Sequence, residues 1–422
     1  MAENIEATVG ATRVVGTRDG GVCRFAALPF ARPPVGPLRF APPQPAAWPA
    51  ELDATRPGPV APQLPSRLRE AMGDFDAPQS EDCLHLTVWT PAPDRARRPV
   101  VVWLHGGAWQ SGAGAIDWYA GAQLAARGDI VVVAPNYRLA ALGWLYLPGE
   151  TANVGLLDSE AAVDWVARHI DAFGGDPDRI TLMGQSAGGL DIACLMARKP
   201  RFSRVILQSA SLGRGLRDAA TAADLSRLVL AAAGAANLDA ARRLPVDALL
   251  RAQLDPAVNA ALAAERAARS LFCPVADGEV LGADPRSALD DAPGRADVLV
   301  GSTRDEMAAF PGMGTDADSR ARGEAIFGTP GRRWAEAAAA QGRAAWHYRF
   351  EHAPSARFGA CHCIELPFVF GTFESFAGAP MLAGLHAEDA ARLRDRMQAA
   401  WVAFIRGEAM PWAQVPATQV FA

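Results

Sequence analysis

Gly184-Gln185-Ser186-Ala187-Gly188 sets a hydroxyl at the centre of a glycine-flanked turn. The apolar run Ile180–Met183 precedes it, and a helix-patterned stretch through Ile192, Leu195 and Met196 follows. A G-x-S-x-G between strand and helix strains the backbone at the serine and leaves no room for side chains two positions to either side. The hydroxyl is thereby presented as a nucleophile. The five-residue pattern alone is weak, because any glycine turn can enclose a serine; its place between strand and helix gives it weight. A serine nucleophile also needs donors for the oxyanion it creates. His105-Gly106-Gly107-Ala108 follows the apolar run ending at Leu104, and small residues there let backbone N–H groups approach closely. The expected donors are Gly106, Gly107 and Ala187.

The same chemistry needs an acid and a base after the serine, in the order Ser, Asp/Glu, His. Of the seven histidines, only His347, His352, His362 and His386 follow Ser186. His386 has charged neighbours in a helical pattern, and His347 lies in the alternating stretch Trp346–Phe350. His362 sits in a loop between that stretch and the apolar Leu366–Phe370, which favours it as the base. For the acid, Asp305 and Glu306 both follow the apolar Val298–Val300, and chain order does not separate them.

The elements that must carry these residues alternate. Val100–Trp103, Ile130–Val133, Ile180–Met183, Val205–Leu207 and Val298–Val300 read as strands, with helical patterns between them. In Leu156–Phe173, for example, Val163, Val166, Ile170 and Phe173 share one helix face. Such alternation predicts an α/β fold: a mixed, mostly parallel central sheet with helices on both faces. Residues 1–97 read as an antiparallel N-terminal portion, and 214–290 and 310–345 as helical excursions over the site, all within one domain spanning 1–422. No internal repeat or linker divides the chain.

A net charge of −5 gives no footprint for nucleic acid. No apolar run approaches the roughly 18 residues of a membrane helix, and the start has no basic and apolar signal pattern, so the expected location is cytoplasmic. The six cysteines are sparse for a disulfide framework, so reduced thiols are expected. Cys361 and Cys363 flank His362, but no second His/Cys cluster completes a four-ligand site; neither metal nor cofactor is expected.

The chain resembles the type B carboxylesterases, the carboxylesterase/cholinesterase family, and among them bacterial para-nitrobenzyl esterases. The resemblance is carried by Phe25–Pro45, Ser80–Val88, His105–Gly112, Asn136–Leu139, Gly155–Gly189, Gly301–Glu306 and His362–Gly371. It implies an α/β-hydrolase fold and ester cleavage through an acyl-enzyme, with Ser186 as nucleophile, His362 as base and Glu306 as the acid. It also implies a small-molecule ester as the only partner and a monomer by default. Gly106-Gly107-Ala108 resembles oxyanion motifs that accept bulky esters, including those of tertiary alcohols, and Ala108 and Trp109 are candidate pocket residues. A carbamate, amide, polyester or toxin ester is the alternative substrate. Glu81, Asp82, Arg138 and Asp158 are implied to be structural ion-pair residues.

Three departures stand out. Gln185 replaces a glutamate usual in the family. Cys83 matches a cysteine that is often disulfide-bonded, but Gly58–Gln63 holds no partner for it. Glu306 and His362 lie 56 positions apart, shorter than usual, which predicts a more open gorge.

Overall fold

Valine decides the centre of the molecule. In Val100-Val101-Val102-Trp103-Leu104 every side chain is buried, the signature of a strand covered on both faces. Alternation sends Val100, Val102 and Leu104 into one core cluster and Val101 and Trp103 into the other. Full burial of each aliphatic side chain contributes about 1.5–3 kcal/mol.

The computed structural model describes residues 3–198, 201–265 and 269–422. Its strands are β1 (Glu3–Val9), β2 (Thr12–Asp19), β3 (Val22–Pro29), β4 (Glu51–Asp53), β5 (His85–Thr90), β6 (Arg98–Leu104), β7 (Val131–Pro135), β8 (Gly175–Gln185), β9 (Arg204–Gln208), β10 (Arg217–Asp218), β11 (Val275–Ala276), β12 (Asp297–Thr303), β13 (Ala345–Phe350) and β14 (Thr418–Phe421). All but β10 and β11 form one sheet, ordered β1-β2-β3-β5-β7-β6-β8-β9-β12-β13-β14 with β4 beside β2. From β1 through β5 to β7 the path pairs antiparallel; from β7 through β6 to β14 it is parallel. β4 alone in the N-terminal portion runs parallel to its neighbour β2. The fold is that of an α/β hydrolase, and its parallel strands all direct their C-terminal ends to the same edge, where α/β proteins place ligands.

Helices cover both faces. Val154–His169, continued by a turn of 3-10 helix at Ile170–Phe173, buries Val163, Val166, Ile170 and Phe173 on one. The helix Ala387–Arg406 buries Leu393, Met397 and Trp401 on the other. His386 caps the start of that helix, exposed, rather than lying within it.

Among the described residues of 214–290, the α-helices are Ala219–Ala232, Leu238–Ala241, Val246–Ala252 and Pro256–Ala264. Residues 266–268 lie outside the described residues. Beyond them Pro274, Gly278, Gly282 and Pro285 break helical continuity, and β11 pairs with β10 in a two-stranded parallel sheet. The segment 310–345 holds the helices Ala317–Gly323 and Thr329–Ala340, joined by a π-helical turn at Glu324–Gly328. The apolar Leu366–Phe370 is a short helix. No helix among the described residues is long and apolar enough to cross a membrane.

Arg39 ties the first excursion to the N-terminal portion. Its guanidinium meets Glu81 through two nitrogens and donates to the carbonyls of Ala241, Arg242 and Leu244. Arg138 and Asp158 form a buried two-pronged pair at 2.7 Å, and Asp82 approaches His85 at 3.4 Å. All six cysteines are buried free thiols.

Candidate active site

β6 and β8 are neighbours, with Leu104 opposite Gly184, so the loop after one meets the turn after the other. At that turn Ser186 has φ 57° and ψ −115°, a left-handed backbone that costs an L-residue of order 1–3 kcal/mol. The Ser186 N–H donates to Gln208 O at 2.9 Å, which holds the strained residue in place. The helix Ala187–Ala197 starts directly after it. Glycine is required at 188, where a Cβ would lie 2.1 Å from Leu104 O.

The loop after β6 is equally constrained. Gly107 has φ +117°, and a Cβ there would lie 1.9 Å from Ser111 O. Ala108 and Trp109 follow at φ 56° and 60°. Among the described residues, the N–H groups of Gly106, Gly107 and Ala187 find no acceptor, and Gly107 and Ala187 line the same cavity as Ser186. His105 braces the loop: its Nδ1–H donates to Gly106 O at 2.7 Å and its ring stacks on Tyr137. Burial drives its pKa down to about 4, so the imidazole is neutral.

β12 ends at Thr303 opposite Phe350 of β13, which places the acid and the histidine loop at the same edge. Asp305 and Glu306 diverge there. Burial works against the Asp305 charge, yet Arg304, Arg320 and the Ala360 N–H outweigh it and hold that carboxyl below its ordinary range. Glu306 turns inward. Its Oε1 accepts from Thr303 N and Ser209 Oγ, and its Oε2 lies 2.5 Å from His362 Nδ1. Phe310 and Phe327 flank the imidazole, with centroids at 5.3 and 4.7 Å. His347 is buried in β13 against Thr418, with its pKa lowered by burial to about 4.

One contact was not foreseen. Gln185 Nε2 lies 3.0 Å from His362 Nε2. With the imidazole proton on Nδ1 and donated to Glu306, Nε2 is the acceptor, and its lone pair is taken by the Gln185 amide. The strand-end polar pair Gln208-Ser209 also escaped sequence reasoning, although a polar pair closing the apolar Val205–Leu207 is a signal of a site edge. Two buried acids lie nearby. Asp191 accepts from Trp109 Nε1 at 2.8 Å, and burial raises its pKa to about 8. Glu365 is raised to about 8 by burial and by the charge of Glu306.

Ser186, Ala187, Gly107, Ala108, Trp109 and His362 line a single cavity of about 340 Å³. The Trp109 indole is almost fully buried and committed to Asp191, so it forms wall rather than mouth. Ser186 is partly exposed, whereas His362 and Glu306 are buried. The arrangement offers a strained hydroxyl, an imidazole oriented by a carboxylate, and three unoccupied N–H donors.

Residues 6–324 match the model of the carboxylesterase family. A probable N-octanoylanthranilate hydrolase of Rhodococcus erythropolis is 36% identical over 96% of this chain and 93% of its own. The para-nitrobenzyl esterase of Bacillus subtilis is 34% identical over 93% of this chain and 88% of its own. A solved PNB esterase superposes with a TM-score of 0.87 at 30% identity, covering 99% of this chain and 95% of that one. The chain belongs to the carboxylesterase family and is a serine carboxylic ester hydrolase.

Proposed function

We propose that Ser186, His362 and Glu306 act as nucleophile, base and orienting acid, and that substrates are bulky or varied carboxylic esters. The observation that carries this reading is the 2.5 Å approach of Glu306 Oε2 to His362 Nδ1, in a cavity shared with the strained Ser186. Ser186 Oγ attacks the ester carbonyl carbon while its proton passes to His362 Nε2. The carbonyl oxygen becomes an oxyanion held by the N–H groups of Gly106, Gly107 and Ala187. Collapse breaks the C–O bond, and the alcohol leaves with the proton from Nε2. Water then repeats the sequence on the acyl-enzyme and frees the acid. Glu306 fixes the tautomer and stabilises the imidazolium. Gln185 must yield Nε2 before the first step.

Gly106-Gly107-Ala108 and the short Glu306–His362 segment support acceptance of bulky alcohols, those of tertiary alcohols included. The test is Ser186→Ala assayed on a short-chain para-nitrophenyl ester. The expected loss in kcat is about 10³-fold or more, and unchanged activity would refute the nucleophile. A panel with one tertiary-alcohol ester and one carbamate checks the specificity; a panel in which only small primary-alcohol esters react counts against it.

A further inference from the structure

The cavity that holds Ser186 has a polar end that the ester chemistry leaves unused. Ser211 Oγ, Arg214 Nε and Gln253 Oε1 are buried and have no hydrogen-bond partner among the described residues, and all three residues line this cavity. Such groups cost free energy unless something that enters the site satisfies them. Arg214 is the decisive one. Its Nη1 reaches Ser270 Oγ at 3.4 Å, and no carboxylate acts on its charge. Asp218, the acid nearest in sequence, caps the helix Ala219–Ala232 by accepting from Thr221 N, and Glu265 is already bound by Arg217 at 2.7 Å and Arg269 at 2.8 Å. A second cation, Arg67, lines the same cavity and adds to the repulsion that, after burial, lowers the Arg214 pKa.

The position is built, not incidental. Arg214 N donates to Ser211 O, and Ser211 N donates to the carbonyl of Ser186, so the Arg214 backbone is one turn from the nucleophile's own backbone. Arg269 Nε holds the Arg214 carbonyl at 2.8 Å. Gly213 is pressed against the π-helical turn, where a Cβ would lie 2.3 Å from Ala325 O. Two cations with no acid among the described lining residues, in a cavity whose apolar wall includes Leu254, Leu262 and Leu271, leave a charge for the ligand to supply.

We infer that the Arg214 end of the cavity is an anion subsite, and that preferred substrates are esters carrying a free carboxylate separated from the scissile bond by an apolar spacer. The inference rests on the ester-hydrolase reading of Ser186. The carboxylate would accept from Arg214 Nε and from Ser211 Oγ, with the Gln253 amide turned to offer Nε2. Arg67 adds long-range attraction at the rim.

Two matched pairs test it by kcat/KM. In the first the acyl group carries the charge: para-nitrophenyl hydrogen glutarate against para-nitrophenyl pentanoate. In the second the leaving group does: para-butanoyloxybenzoate against para-butanoyloxybenzamide. The anionic member of at least one pair is expected to win by on the order of ten- to hundredfold. Arg214→Gln is expected to cut that ratio at least tenfold, and added salt is expected to lower it. A wild-type ratio at or below one in both pairs overturns the subsite without any variant, and so does a ratio unmoved by Arg214→Gln. Hydrolysis of the neutral esters in either event leaves the esterase reading standing. Failure to hydrolyse any of the four removes both.

Discussion

The amide of Gln185 rests on the imidazole nitrogen that a base needs free. Replacing it by a carboxylate would set a negative charge beside His362 and favour the protonated ring. A protonated ring cannot take the Ser186 proton, so the base fails at a higher pH. Gln185→Glu is therefore expected to move the acidic limb of the pH–kcat/KM profile upward by about one to two pH units. An unshifted or lowered limb would show that residue 185 does not act on the imidazole. At this scale the sequence was partly legible. Ser186 and the glycines at 106 and 107 announce themselves because their backbone geometry restricts residue type. Asp305 and Glu306 do not separate, because both follow the same strand and only the turn beyond it sends one to Arg304 and Arg320 and the other to His362. Arg214 was invisible for another reason: in a chain rich in arginine, nothing but the absence of an acid partner distinguishes it.

Elements position these residues through strand ends. β6, β7, β8, β9 and β12 were readable because buried parallel strands are continuous apolar runs bounded by turns, whereas β13 shows as the alternating Trp346–Phe350. The helical roof was less so. Alanine-rich stretches favour helix wherever they lie, and no proline or glycine between Ala264 and Pro274 marks in the sequence where the helix ends. The link between roof and N-terminal portion, Arg39, had no sequence signal, since its partners are the backbone carbonyls of residues 241, 242 and 244. Arg39→Ala would strand the largely buried Glu81 and three carbonyls. A loss of about 3–5 kcal/mol in chemical unfolding is expected. A loss under about 1 kcal/mol would show that the roof is held elsewhere.

Across the whole molecule, the buried acids shape how stability responds to pH. Asp191 and Glu365 are both raised to about 8 when folded. Their ordinary values lie near 4, so between roughly pH 4 and 8 the folded chain binds protons that the unfolded chain has released. Their contribution is complete below that window and is lost as pH rises through it. Asp191→Asn keeps an acceptor for Trp109 Nε1 but cannot ionise. The variant's advantage over the wild type in free energy of chemical unfolding is expected to widen from pH 5 to pH 9, by on the order of a few kcal/mol. A gap that stays constant across pH would show that Asp191 does not titrate in this range.

The Arg39 knot also bears on how such a chain can change. A side chain from the first forty residues completes the hydrogen bonding of a roof some two hundred positions later. Roof and N-terminal arm are thus one unit of inheritance. A recombinant that imports a foreign segment across 219–264 keeps its fold only when residues 39 and 81 travel with it, or when the incoming segment ends its own carbonyls. Breakpoints drawn by distance along the chain would cut through this unit; breakpoints drawn by shared hydrogen bonds would not.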